Sequence, residues 1–163
     1  MGLLHQVYVG TGSNQGNSIE LLSKAIMLCE SNVGYIGRVS SIYRTKAWGK
    51  EDQPDFYNQV FEISTPFSPL IVMRKFLDIE KSLGRKRYEK WGPRTIDIDM
   101  LFYDNLCLST NEIQIPHPEI QNRNFVLVPL TEIAGYKIHP NFNITINKIL
   151  ENCKDILTAK IIR

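Results

Sequence analysis

Between residues 6 and 102 the spacing of apolar side chains switches repeatedly between the period of a strand and that of a helix. The order it spells is strand, helix, strand, strand, helix, strand, and few folds accept it. Residues 6–11 alternate as a strand and run into Gly12-Ser13-Asn14-Gln15-Gly16-Asn17, a turn-rich segment in which Asn17 or Ser18 caps the next element. A helix over 18–30 places Ile19, Leu22, Ala25, Ile26 and Cys29 on one stripe. A second strand is expected over 39–43. The polar connection 44–55, with Gly49 and Pro54, is long for a compact domain and reads as a binding segment. A third strand over 58–64 leads to a helix over 69–83 that Gly84 stops. The fourth strand covers 95–102.

That order is the split βαβ unit doubled, so the expected class is α+β, a ferredoxin-like α/β sandwich with helices over one sheet face. The remainder adds C-terminal strands and helices. Asp104-Asn105 makes a turn, 113–115 a strand, and helices are expected near 128–133 and 144–157. At 163 residues and 43% hydrophobic, residues 1–163 are enough for one domain with a real core and call for no second. The formal charge of +2 is too small to argue for a nucleic-acid partner. Cys29, Cys107 and Cys153 are odd in number and lack ligand-like spacing to His5, His117 or His139, as expected of reduced thiols in a cytoplasmic protein. No stretch has the length and apolarity of a membrane span, and none resembles a leader.

The fourth strand carries the chemistry. Ile96, Ile98 and Met100 share one parity, and Thr95, Asp97 and Asp99 share the other, so both carboxylates fall on one face. Two residues along a strand rise roughly 6.6 Å, which lets the pair converge on one or two ions. Oxygen-only ligands at this spacing suit magnesium, which keeps waters and binds through carboxylates plus substrate phosphates. Arg94, just ahead of the strand, is placed as a bidentate phosphate donor. The run Arg85-Lys86-Arg87-Tyr88-Glu89-Lys90 adds local positive charge. Gly12 to Gly16 has neither the Lys-Ser/Thr ending of a P-loop nor a dinucleotide glycine spacing, and reads as a structural turn.

The segment Trp91-Gly92-Pro93-Arg94-Thr95-Ile96-Asp97-Ile98-Asp99 resembles the signature of the 6-hydroxymethyl-7,8-dihydropterin pyrophosphokinase family. Gly12-Ser13-Asn14, Ser40-Ser41-Ile42-Tyr43-Arg44-Thr45, Asp52-Gln53-Pro54-Asp55-Phe56-Tyr57-Asn58, Ile115-Pro116-His117 and Asn122-Arg123-Asn124-Phe125 resemble it in order and approximate spacing. The resemblance implies transfer of the β,γ-pyrophosphoryl group of ATP to the hydroxyl of the reduced pterin, giving the pterin diphosphate and AMP in folate biosynthesis. It implies two magnesium ions on Asp97 and Asp99, with Arg85, Arg87 and Arg94 acting on the phosphates. Glu80, Trp91, Ile98, His117 and Arg123 fall at ATP-binding positions. Thr45, Trp48, Phe56, Asn58 and Phe125 fall at pterin-binding positions, with the two phenylalanines stacking on the ring and Asn58 meeting its amide-like edge. A monomer with no nucleic-acid or membrane partner is expected. The loop 84–93 is one residue shorter than the familiar form, and Lys46, Trp48, Leu77, Glu112 and Gln114 depart from the family's pattern.

Two other classes compete. A ferredoxin-like nucleic-acid binder needs exposed aromatics on its central strands, and paired carboxylates would repel phosphate without a cation. An inactive relative that only binds a partner would not be expected to keep Asp97, Asp99, Arg94 and His117 together.

Overall fold

The computed structural model describes residues 2–47, 52–86 and 93–162. Strand β1 (His5–Ser13) is flanked by β4 (Phe56–Thr65) and β5 (Asp97–Tyr103), both antiparallel to it. β2 (Tyr35–Val39) and β3 (Tyr43–Thr45) pair in succession with the outer edge of β4, and the short β8 (Lys160–Ile161) pairs with β3. The main path is β5-β1-β4-β3-β8, the antiparallel sheet expected of the doubled split unit.

Helix α1 (Ser18–Asn32) begins where the Asn17 side chain accepts the Glu20 N–H, and it buries Leu22, Ala25 and Cys29. Its exit runs so close to β4 that a Cβ at Gly34 would stand 2.1 Å from the Ser64 carbonyl oxygen. Helix α2 (Pro69–Ser82) starts on proline, buries Val72, Phe76 and Ile79, and ends at Gly84 with φ 88°. α1 and α2 pack with Val7, Val9, Phe61, Ile63 and Ile98 into one core.

Three expectations change. The strand expected over 39–43 is two strands, because Ser40 interrupts the ladder: its N–H donates to the Val60 carbonyl at 2.8 Å while its Oγ accepts the Val60 N–H at 3.0 Å. α1 and α2 keep to one face, as expected. α3 (Asn124–Ala134) and α4 (Ile146–Asn152) cover part of the opposite face, burying Leu127, Leu130, Ile133, Ile146 and Ile149 against Tyr8, Val60, Leu101 and Phe102. A bulge between Tyr8 and Val9 in the pairing with β5 lets consecutive Leu101 and Phe102 both join that second core. α3 therefore begins earlier than 128, and α4 stops well short of 157. The strand expected at 113–115 is β7 (Gln114–Ile115), in a small ribbon with β6 (Leu108–Ser109).

Cys29, Cys107 and Cys153 are free thiols, and burial pushes the Cys29 thiol up to about 12. Among the described residues no helix is long and apolar enough to cross a membrane.

Candidate active site

Beyond the part that α3 and α4 cover, at the N-terminal end of α3, the second sheet face opens, and the register shows what lies there. One rung reads Asp97, Gly12, Asn58, Tyr43 across β5, β1, β4 and β3, and the next inward reads Asp99, Gly10, Val60. Residues opposite one another in a sheet point to the same face, so the carboxylates and Asn58 share a floor made of glycine. Larger side chains would fill it: a Cβ at Gly12 would stand 2.8 Å from Asn58 Oδ1. The cavity above is lined by Gly10, Gly12, Thr45, Lys46, Phe56, Asn58, Arg94, Asp97, Asp99, Arg123 and Phe125.

On the uncharged side, Asn58 and Thr45 are buried at 5% and 2% exposure, and Asn58 Nδ2 donates to Thr45 Oγ1 at 3.2 Å. A polar pair this deep inside an aromatic-walled cavity offers directional recognition at one edge of a ligand. Phe56 lies opposite Thr45 in the register, half-buried, and Phe125 stands in the first turn of α3 with the Arg123 guanidinium 5.7 Å from its ring centre.

On the charged side, Asp97 is buried between two arginines. Arg85 Nη2 lies 2.7 Å from its Oδ1 without hydrogen-bond geometry, and Arg94 Nη1 donates to Oδ2 in a close ion pair. Arg85 also meets Glu80 Oε2 at 2.5 Å, and Glu80 Oε1 accepts the Ile98 N–H at 2.8 Å. Burial pushes the Glu80 carboxyl up to about 7 against the pull of Ile98 N–H and Arg85. Asp99 is also held above the usual carboxylate range. Crowding by protein is the larger cause and the like charge of Asp97 the next, while His117, Arg123 and Arg94 act the other way. Burial lowers His117, and its Nδ1 accepts the Glu119 N–H at 3.2 Å, so the neutral ring carries its proton on Nε2.

Thus Asp97, Asp99, Arg94, Arg123, Thr45, Phe56, Asn58 and Phe125 come together around one cavity. Arg85 and Glu80 stand behind Asp97, outside the lining, and the Ile98 side chain belongs to the α1–α2 core. Trp48, Arg87 and Trp91 lie outside the described residues. One residue of the Gly12-Ser13-Asn14 motif, given no role of its own in the sequence reading, proves central: Asn14 Oδ1 accepts the Arg94 N–H at 2.8 Å, while its Nδ2 donates to Gln53 Oε1 at 3.0 Å and the Pro54 carbonyl at 3.1 Å. It ties together the segments entering β4 and β5. Nothing in one sequence distinguishes such an asparagine from an ordinary turn former.

The carboxylates fit a divalent cation. Asp99 is charged only at a cost that a cation would relieve, and among the described residues no cluster of three or more acidic, histidine or cysteine side chains encloses a metal. Such a donor pair suits an ion that completes its shell with water and phosphate oxygens.

A ferredoxin-like sheet with paired carboxylates and arginines beside an aromatic-walled amide pocket fits a small transferase of phosphate chemistry. The comparisons with known proteins agree. The profile of the 7,8-dihydro-6-hydroxymethylpterin-pyrophosphokinase (HPPK) family matches residues 8–135. The 2-amino-4-hydroxy-6-hydroxymethyldihydropteridine pyrophosphokinase of Aquifex aeolicus is 42% identical over 134 residues, 82% of this chain and 83% of that one. The Haemophilus influenzae protein of the same name is 37% identical over 157 residues, 96% of each chain. A crystal structure of Plasmodium falciparum HPPK-DHPS superposes with a TM-score of 0.76 at 15% identity, covering 93% of this chain. The present chain spans only 44% of that longer one. The chain belongs to the 7,8-dihydro-6-hydroxymethylpterin-pyrophosphokinase family.

Proposed function

We propose that this chain is a monomeric, single-domain cytoplasmic enzyme that transfers the β,γ-pyrophosphoryl group of ATP to 6-hydroxymethyl-7,8-dihydropterin. The observation that carries the reading is the shared rung of Asp97, Gly12 and Asn58, which sets a phosphate-competent pair beside a heterocycle pocket on one floor. In the reaction the hydroxymethyl oxygen attacks the β-phosphorus, the bond from that phosphorus to the oxygen of the α-phosphate breaks, and AMP leaves. The hydroxyl proton passes to solvent.

The pterin ring lies between Phe56 and Phe125, its amide-like edge toward Asn58 and Thr45, with Trp48 completing the pocket. Asn58 matches both donors and acceptors on that edge, and a ligand lacking them leaves buried groups unpaired. The triphosphate lies over Asp97 and Asp99 against Arg94, Arg123 and His117, with Arg85 and Arg87 assigned to its phosphates. Glu80, Ile98 and Trp91 belong to the nucleotide side. Asp97 and Asp99 would hold two magnesium ions, which would supply phosphate neutralisation and polarisation of the hydroxyl. The protein's own share is placement: it fixes two substrates in line and excludes water, which suits a transfer governed by positioning and electrostatics.

A nucleic-acid platform is disfavoured because Tyr8 and Phe102, the aromatics on this face of β1 and β5, lie buried under α3 and α4. The test is ATP labelled at the γ-phosphate, incubated with magnesium and the reduced pterin alcohol. Label in a pterin diphosphate, with unlabelled AMP in equal amount, is the expected result. ADP as the nucleotide product would overturn the reading.

A further inference from the structure

Residues 153–162 come after α4, lie beyond the span that the family profile matches, and are stitched to both walls of the cavity. At one wall, Asp155 Oδ2 accepts the Asn124 N–H at 2.9 Å and Oδ1 accepts the Leu157 N–H at 3.0 Å. The Asn124 side chain answers by donating to the carbonyls of Asp155 at 2.6 Å and Leu157 at 3.2 Å. Asn124 opens α3, and the next residue is Phe125. The residue before the helix, Arg123, supplies no side-chain cap, so the carboxylate of Asp155 does for this helix start what a local cap does elsewhere, with the charge sign that a helix N-terminus favours.

At the other wall, Ile161 and Lys160 pair with Tyr43 and Arg44, and the Ile162 N–H donates to the Ile42 carbonyl at 3.0 Å. Thr45, partner of Asn58, is the next residue along. α3 and β3 are also tied farther from the cavity mouth: Glu132 accepts the Ser41 N–H and hydroxyl, each at 3.0 Å, and the Tyr43 hydroxyl at 2.7 Å.

We infer that residues 153–162 form a strap that sets the distance between the Phe125 wall and the Thr45–Asn58 wall, and that Asp155 is a positioning residue for the heterocyclic substrate. The inference rests on the pterin reading of the cavity. Its mechanism is geometric. A ring stacked on Phe125 and hydrogen-bonded by Asn58 gains both contacts only while helix and strand hold their spacing, and a displacement of a fraction of an ångström forfeits much of the packing. On the nucleotide side, β5 and the segment before it make none of these bonds among the described residues, whereas Arg123 directly precedes Asn124.

Calorimetric titrations of the full chain with 6-hydroxymethylpterin and, separately, with a magnesium complex of a non-hydrolysable ATP analogue test the strap. Asp155→Ala should weaken pterin binding about tenfold while leaving nucleotide affinity within about twofold, the scale of losing hydrogen bonds to a charged group. Asp155→Asn, which keeps one acceptor, should recover part of the loss. If Asp155→Ala does not fold, Asn124→Ala removes only the side-chain bonds to the strap and should show the same split. Unchanged pterin affinity in a folded variant, or equal loss of both ligands, overturns the strap and leaves the pterin reading standing. Failure of the unaltered chain to bind pterin overturns both.

Discussion

Asp99 shows how one residue can oppose the stability of the metal-free fold. Its carboxyl is held above the usual range by crowding and by Asp97, so its stabilising contribution is complete below the unfolded-state value of 3.8 and is lost as pH rises through the folded-state value. At pH 8 without metal, Asp99→Asn should therefore raise the melting temperature, and the rise that magnesium gives the unaltered protein should shrink. A fall in melting temperature on this substitution would contradict the electrostatic picture. Asp97 differs because Arg85 and Arg94 flank it, so its removal leaves two cations facing one another.

His139 titrates in the opposite sense. It is 2% exposed, stacks on Phe142 at 4.3 Å and meets Phe102 edge-on, and its Nδ1 accepts the Asn141 N–H. Burial, with the Lys137 charge as a smaller cause, lowers it from 6.5 to about 4. The unfolded chain takes up the proton first as pH falls, so stability drops between those values. Chemical denaturation at pH 7.5 and pH 5 should show about 2 kcal/mol of loss from this residue, absent in His139→Gln. Equal pH dependence in the two proteins would exclude it.

At the scale of elements, the floor of the site is the feature most open to test. Gly12 has an ordinary strand backbone, so its constraint is space. Gly12→Ala should push Asn58 aside and weaken pterin binding about tenfold, an estimate from one displaced buried polar contact, with little change in nucleotide binding. Separate titrations of the two ligands decide this. Gly34→Ala should instead damage the fold, since its Cβ would meet the Ser64 backbone rather than a movable side chain.

These elements also show what a single sequence discloses. The doubled βαβ order was legible because α1 and α2 each bury one stripe while β1, β4 and β5 carry alternating apolar residues, and the shared face of Asp97 and Asp99 came from the same period. The second layer was not legible. α3 is apolar on most sides and contains Pro129, which blurs its start, and α4 ends early because the carbonyls of Asp155 and Leu157 serve Asn124. In the site, glycine carries no chemical signal, so the floor under the cavity and the Asn14 tie emerged only from the register and the side-chain bonds.

Across the whole molecule, one open sheet face divides into a carboxylate half on β5 and a half on β4 and β3 built from the Asn58–Thr45 pair and Phe56, joined by the glycines of β1. The division predicts that the two halves fail separately. The direct measurement is single-turnover pyrophosphoryl transfer in Asp97→Asn and Asp99→Asn, beside titration of each variant with pterin. Loss of a charge-neutralising site worth several kcal/mol should slow transfer by about a thousandfold or more, with pterin affinity close to that of the unaltered chain. Transfer at a near-normal rate in either variant, or pterin binding that collapses together with the rate, would contradict it.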